Sequence, residues 1–295
     1  MLPYGLLLFA GWLTALAGTS LAAPVPVEDA MGRTVSLEKV PERIVPIFSS
    51  NTELVAALGL TDRIVGVEAF TRFPPDIQGK PLIGGRLGFS VDAIVRQSPD
   101  LIVVTPARQA MHQILEPMGR LNIPVIVLQS RNVSEVIKNL RLLGRATRTE
   151  ERAEALAQSF EARLRRVQER HGDKARPRVV LITGRLGNGM VLIARSDTYT
   201  GDALRLAGAE HAMEKTVVPQ VSPEAVIAAD PDVLLFAGTR AHFEELLASP
   251  GWSLLRAVRA QRTYLVARSE FLIPGPRTFD GIEKLSLLLA AGKGS

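Results

Sequence analysis

The chain is predicted to be an α/β protein of two lobes with mainly parallel sheets and a long helix between them. Three observations predict this. First, the stretch from Phe89 to Val104 recurs from Val221 to Phe236, 132 residues further on, with Ser90 matching Ser222, Asp92 Glu224, Pro99 Pro231 and Asp100 Asp232. Each copy reads as an N-capping serine, a short helix with an acid in its first turn, a Pro-Asp turn and a strand, and Pro223 takes the favoured first helical position. Second, the four apolar residues after each turn, Leu101 to Val104 and Val233 to Phe236, have the unbroken hydrophobicity of a parallel strand covered on both faces. Third, 295 residues exceed the size at which one core is usual, and a repeat spacing near half that length favours two domains. With 46% hydrophobic residues the chain is globular.

Taken in order, residues 1–23 contain no Asp, Glu, Lys or Arg, run apolar from Leu6 to Ala17 and end in small residues at Ser20-Leu-Ala22-Ala23. They read as a removable secretion signal. The alternative is a membrane anchor, for which an apolar core of about a dozen residues is short against the roughly 20 that a span needs. The sequence contains no cysteine, hence neither a disulfide framework nor a residue for lipid attachment. The expectation is a soluble periplasmic protein that is not a lipoprotein.

A polar lead-in covers 24–42. The first lobe, 43–130, has strands at Arg43 to Phe48, Arg63 to Val67, Leu101 to Thr105 and Pro124 to Leu128. In it, Ser50-Asn-Thr-Glu53 reads as a capping box opening a helix that Gly59 ends, and a second helical pattern runs from His112 to Leu121. The connector, 131–175, carries two further capping boxes, Asn132 with Glu135 and Thr147 with Glu150. Ala153, Leu156, Ala157, Phe160, Leu164 and Val167 then recur at helical spacing. A helix of about 20 residues spans roughly 30 Å and makes a stiff bridge, its Arg152, Arg163, Arg166 and Arg170 forming a solvated face. The second lobe, 176–295, has strands at Val179 to Thr183, Val191 to Ile193, Val233 to Phe236 and Thr263 to Val266. Its helices start near Thr200, Ser222 and His242, with another around Trp252 and a last one from about Thr278 to Ala291.

Charge and motifs exclude several functions. Thirty-five basic against 30 acidic residues give a mild +5, and no RNP, zinc-finger or basic-zipper pattern argues for a nucleic-acid partner. There is no G-x-S-x-G, H-E-x-x-H or P-loop, and Gly184-Arg-Leu-Gly-Asn-Gly189 has the wrong spacing for a dinucleotide turn, so no catalytic residue is assigned. His112, His171, His211 and His242 are scattered singly and give no metal-ligand spacing. A two-lobe α/β enzyme is the remote alternative.

The motifs after residue 27 carry a resemblance. Asp29-Ala-Met-Gly-Arg-Thr-Val, Pro41-Glu-Arg-Ile-Val, Thr52-Glu-Leu-Val-Ala-Ala-Leu-Gly59, Asp62-Arg-Ile-Val-Gly-Val67, the doubled Ser-x-acid and Pro-Asp element, Leu206-Ala-Gly-Ala209 and Pro274-Gly-Pro-Arg277 stand together in order and spacing. By these the chain resembles the substrate-binding proteins of ABC importers that carry ferric siderophores, haem or cobalamin. The resemblance implies two Rossmann-like lobes with a ligand cleft between them, a monomer that delivers a small-molecule metal chelate to a permease dimer, and no stable membrane insertion. It implies no cofactor and no protein-bound metal, the iron or cobalt arriving inside the ligand. By position, Asp92 and Glu224 would dock onto permease arginines, although a carboxylate in a helix's first turn is favourable with no partner at all. Haem-binding members usually place a tyrosine where Gly85 stands here, and cobalamin carriers rely on aromatics, which are only 5% of this chain.

The cleft residues follow from where loops fall. In open parallel sheets ligands bind beyond the carboxyl ends of the strands. The loops there supply Arg72, Arg86 and Arg108 in the first lobe and Arg185, Arg240 and Arg268 in the second; Asn51, Phe70, Tyr199 and Phe271 complete the expected lining. Guanidinium groups on both sides suit an anionic ferric siderophore. A corrinoid is the runner-up, followed by haem or an oxyanion such as molybdate.

Overall fold

The two doubled apolar runs become interior strands of two sheets, each paired on both sides. The computed structural model describes residues 24–85, 88–105, 108–172 and 175–291, without the side chains of Gly85 and residues 108–111. A lead-in hairpin, β1 (Val25–Glu28) and β2 (Thr34–Leu37), precedes the first lobe. That lobe contains β3 (Ile44–Pro46), α1 (Ser49–Ala57), β4 (Val67–Glu68), β5 (Leu82–Gly85), β6 (Gly88–Phe89), α2 (Val91–Val95), β7 (Leu101–Val104), α3 (Arg108–Arg120) and β8 (Val125–Val127). The connector is α4 (Val133–Thr147) and α5 (Glu150–His171). The second lobe contains β9 (Arg178–Arg185), β10 (Val191–Ile193), α6 (Tyr199–Leu206), β11 (Glu210–His211), β12 (Gln220–Val221), α7 (Pro223–Ala229) and β13 (Val233–Phe236). It continues with α8 (Arg240–Leu247), α9 (Arg256–Arg259), β14 (Thr263–Leu265), α10 (Arg268–Phe271) and α11 (Arg277–Ala291).

The first sheet has the order β3-β7-β8, all parallel, and a smaller sheet β4-β5-β6 lies beside it. The second sheet runs β12-β10-β9-β13-β14, with β9, β13 and β14 parallel and β10 antiparallel to β9; β11 pairs parallel with the start of β9, at Arg178 and Val179. Register repeats between lobes: Ile44 faces Leu101 as Val179 faces Val233. Because strand side chains alternate, one face of each sheet (Ile44, Leu101, Val103; Val179, Leu181, Val233) enters a single core that runs through α4, α5 and α11. The opposite faces form separate cores, around Val45, Ile102 and Val104 and around Val180, Leu234 and Phe236. The lobes are therefore fused along one side and open on the other.

The doubled element builds the same joint twice. Ser90 and Ser222 each cap their helix, accepting from the backbone of Ala93 and Ala225 at 3.3 Å. Ser98 and Asp230, matching residues at the helix ends, both take positive φ, 46° and 39°. The turn aspartates then tie neighbouring strands together. Asp100 accepts from the amide of Arg43 at 2.8 Å and from that of Glu42, and Asp232 from Arg178 at 2.8 Å. Arg43 and Arg178 in turn donate to carbonyls at the helix ends, Ser98 and Asp230.

Two of the expected capping boxes are something else. α1 is capped by Phe48 with no side-chain bond, and Glu53 is buried in an ion pair. Thr147 lies in the last turn of α4, where its hydroxyl donates to the Leu143 carbonyl at 2.7 Å, and Thr149 precedes α5. The Asn132 box forms, its side chain accepting from the amide of Glu135 at 3.0 Å. The 22 residues of α5 are held on both sides: Arg141 of α4 binds Glu154 and Glu161, Phe160 stacks on Phe279 of α11 at 4.0 Å, and Arg163 binds Asp280 and Glu283. All four arginines expected on a solvated face thus reach packed elements instead, since Arg152 donates to the Ala57 carbonyl at 2.8 Å, Arg166 pairs with Glu283 at 3.7 Å and Arg170 donates to the Ser286 hydroxyl at 2.8 Å. Among the described residues no helix is long and apolar enough to cross a membrane.

Candidate ligand cleft

The open side holds a cavity of about 350 Å³ between the lobes, lined by Phe48, Ser49, Ser50 and Thr105 from the first and by Leu272, Ile273 and Pro274 from the second. Its first-lobe wall is the turn from β3 into α1. Phe48 takes φ 75° and ψ 144° there, and its amide donates to Glu68 Oε2 at 2.8 Å. Burial pushes the Glu68 carboxyl above its ordinary value, against the lowering effect of that bond. Ser49 shares a 3.1 Å hydrogen bond with Thr71, which brings the loop carrying Arg72 beside the cavity. The second-lobe wall follows directly from α10, which starts at Arg268.

Two of the expected arginines stand on segments adjoining the cavity's lining residues and have no carboxylate partner among the described residues. Arg72 is exposed and held by the carbonyls of Ala69 and Thr71. Arg268 is exposed and donates to the carbonyls of Thr183 at 2.6 Å and Ala237 at 3.1 Å, across the carboxyl ends of β9 and β13. Arg185 pairs with Glu245 at 2.9 Å and Arg240 with Glu244 at 3.9 Å, so their charge is partly answered within the protein. Arg108 and Arg240 open α3 and α8 at matching places after the interior strands β7 and β13. The side chain of Arg108 and the whole of Arg86 lie outside the described residues.

Three expected lining residues are interior ones. Asn51 is buried and braces the wall from behind, donating to the Ile47 carbonyl at 2.6 Å and accepting from the Thr105 hydroxyl at 3.3 Å. Tyr199 is buried, its hydroxyl bonded to Thr278, and burial raises its pKa further above the ordinary value. Phe271 is 1% exposed and belongs to the shared core. Helical spacing turns these last two toward α11 rather than the cleft. Phe70, 63% exposed, remains available.

Sequence reasoning missed the contact that joins the two lobes at one end of the cleft. Glu53 of α1 and Arg277 of α11 form a two-pronged ion pair, Nε to Oε2 at 3.0 Å and Nη2 to Oε1 at 2.5 Å. The Glu53 side chain is 1% exposed and that of Arg277 25%. Burial raises the Glu53 carboxyl above the ordinary 4.5, while the hydrogen bond and charge of Arg277 lower it. The guanidinium also lies 4.4 Å above the ring of Phe73. A Cβ on Gly275 would stand 3.0 Å from Glu53 Oε2, so a residue without one lets the chain pass this close. The only signal was the pair of motifs Thr-Glu and Pro-Gly-Pro-Arg, and nothing in either says that they meet.

Asp92 and Glu224 are exposed in the first turns of α2 and α7. Their own backbone and cap suffice to explain their positions: Glu224 is lowered by hydrogen bonds from its own backbone amide and from Ser222. Of the histidines, His171 bonds Ser286 and His211 bonds Ala194, and among the described residues no group of three metal-ligating side chains could hold an ion.

Two parallel-sheet lobes fused by a helical side and facing across a cleft define a substrate-binding protein of the ABC-importer type. Residues 44–268 match the model of the family described as Periplasmic binding protein, and the chain belongs to that family. It is similar to the uncharacterized ABC transporter substrate-binding lipoprotein YvrC of Bacillus subtilis (strain 168), 28% identical over 89% of this chain and 84% of the relative. The Vitamin B12-binding protein of Pectobacterium atrosepticum is 24% identical over 68% of this chain and 72% of its own. The crystal structure of a periplasmic heme binding protein from Pseudomonas aeruginosa superposes with a TM-score of 0.74 at 26% identity, covering 85% of this chain and 94% of that one.

The first of these relatives corrects the expectation of a free periplasmic protein that is not a lipoprotein. That expectation rested on a missing cysteine, whereas the folded body aligned here is shared with a lipid-bearing relative and carries no mark of how a member is tethered. Residues 1–23, where the expected signal falls, lie outside the described ones.

Proposed function

We propose that this protein captures an anionic metal chelate, a ferric siderophore foremost, in the cleft between its lobes and delivers it to an ABC import permease. One observation carries the reading. Arg72 and Arg268 stand on segments that adjoin the cavity walls in opposite lobes, Arg72 next to Thr71, which bonds Ser49, and Arg268 at the start of α10, just before Leu272; both are oriented by backbone carbonyls and have no carboxylate partner among the described residues. A guanidinium held in this way keeps donors and a full positive charge for carboxylate or catecholate oxygens. Asp92 and Glu224, one exposed acid per lobe at matching places, serve as the permease contacts.

A second reading draws on the cavity wall, where Phe48, Leu272, Ile273 and Pro274 offer an apolar surface suited to the flat macrocycle of a corrinoid or haem. The two are separated by native mass spectrometry of the protein purified from its own cells. A bound anionic ferric chelate supports the first reading, and a corrinoid in its place overturns it.

A further inference from the structure

Phe48 adopts a backbone conformation, φ 75° and ψ 144°, that glycine enters freely and a residue with a Cβ does not. A side chain in that region persists only where its surroundings hold it, and such positions gather at functional sites. Backbone hydrogen bonds on both sides hold this one. The Phe48 amide donates to Glu68 Oε2 at 2.8 Å, and its carbonyl accepts from the amides of Asn51 at 3.1 Å and Thr52 at 3.2 Å, so α1 begins on it. One side of the residue packs against the outer core of the first sheet, and the other lines the cleft cavity.

The bond to Phe48 is the one hydrogen bond of the Glu68 side chain among the contacts described. It ends β4, in the small sheet beside the first lobe's main sheet, and its side-chain bond to Phe48 joins the two. A glycine at position 48 would make the same turn without needing a half-buried carboxylate. The chain instead keeps an aromatic residue on the cavity wall and an acid to fix it.

We infer that Glu68 is a positioning residue for the cleft, fixing the Phe48 amide so that the Phe48 ring and the adjoining Ser49 and Ser50 form a preformed wall for an apolar face of the ligand. The inference rests on the cleft being the ligand site. A wall set before binding raises affinity because its ordering has already been done in the free protein.

Two variants separate this role from general stability. Glu68→Ala removes the acceptor, whereas Glu68→Gln leaves an oxygen in its place. In ligand-free protein, amide hydrogen exchange over residues 48–52 is expected to quicken in Glu68→Ala and to stay near wild type in Glu68→Gln. Affinity is then measured by calorimetry for three probes, an anionic ferric tris-catecholate, haemin and cyanocobalamin. For whichever probe the wild type binds, Glu68→Ala is expected to lose roughly 10- to 100-fold, the range that one strained residue commands, with Glu68→Gln restoring it to within about threefold. Phe48→Gly, which keeps the turn and removes the ring, is expected to lose a similar factor with exchange protection of residues 50–52 retained; it decides the matter if Glu68→Ala fails to fold. Unchanged exchange in Glu68→Ala, or wild-type affinity in Phe48→Gly, overturns the inference. If wild-type protein binds none of the three probes, it is the functional reading that fails, and the exchange comparison still decides whether Glu68 fixes Phe48.

Discussion

Replacing Arg277 by alanine should unfasten the lobes at their one buried inter-lobe ion pair among the described residues and reveal how much that pair holds. The substitution strands Glu53, whose side chain is 1% exposed, with no cation beside it. Breaking a fully buried pair costs about 3–5 kcal/mol. Arg277 is itself 25% exposed, so water can reach part of the gap and the cost is discounted below that range, to about 2–3 kcal/mol. Loss of the Phe73 contact adds about 0.5–1 kcal/mol. The expected total is about 3 kcal/mol at neutral pH, read as a shift of the urea midpoint at unchanged slope. The sign of its pH dependence follows from Glu53. Its folded-state pKa lies above 4.5, so between 4.5 and that raised value the native state binds the extra proton, and this group's contribution to stability is lost as pH rises through the window. Removing Arg277 takes away the cation that holds the value down and widens the window. The penalty should therefore be smaller at about pH 5 than at about pH 8. In a Glu53→Gln background it should fall to about 1 kcal/mol, the part due to Phe73. An equal penalty at both pH values, or in both backgrounds, would refute the reasoning.

Further outcomes follow from the repeat. Asp100→Ala should cost about 2 kcal/mol and Asp232→Ala about 1 kcal/mol in the same urea assay, because Asp100 accepts from two backbone amides and Asp232 from one. Equal losses would contradict that ordering. Replacing Asp92 and Glu224 together by alanine should leave the ligand Kd within about threefold while transport through the permease collapses. Unchanged uptake would leave these acids only their place at the helix starts.

The parts of the fold set by short-range pattern were legible in the sequence. The four-residue apolar runs became the interior strands β7 and β13, and the helical spacing from Ala153 to Val167 became α5. The doubled Ser-x-acid motif became two capped helices of the same build. Two-residue strands such as β6, β11 and β12 were not legible, since they owe their existence to pairing rather than to any run of their own. Site residues divided along the same line. Loop positions of Arg72 and Arg268 could be inferred from the ends of strands, but the partners that occupy Arg185 and Arg240 could not. Tyr199 and Phe271 were misplaced because burial against α11 depends on a helix that comes later in the chain. Glu53 looked like a local cap because four residues of sequence contain a capping box, while its real partner stands 224 residues away.

The central claim, that the cleft holds an anionic chelate between arginines of opposite lobes, is tested most directly by calorimetry with the Arg72→Ala/Arg268→Ala variant. A ferric tris-catecholate is titrated into it and into wild type, at low and at high ionic strength. Each lost charge-assisted contact should cost about 1–3 kcal/mol. Wild-type binding should also weaken with added salt, since Arg72 and Arg268 are both exposed. Salt-independent binding, undiminished binding by the double variant, or preference of the wild type for neutral cyanocobalamin over the anionic chelate would contradict the claim.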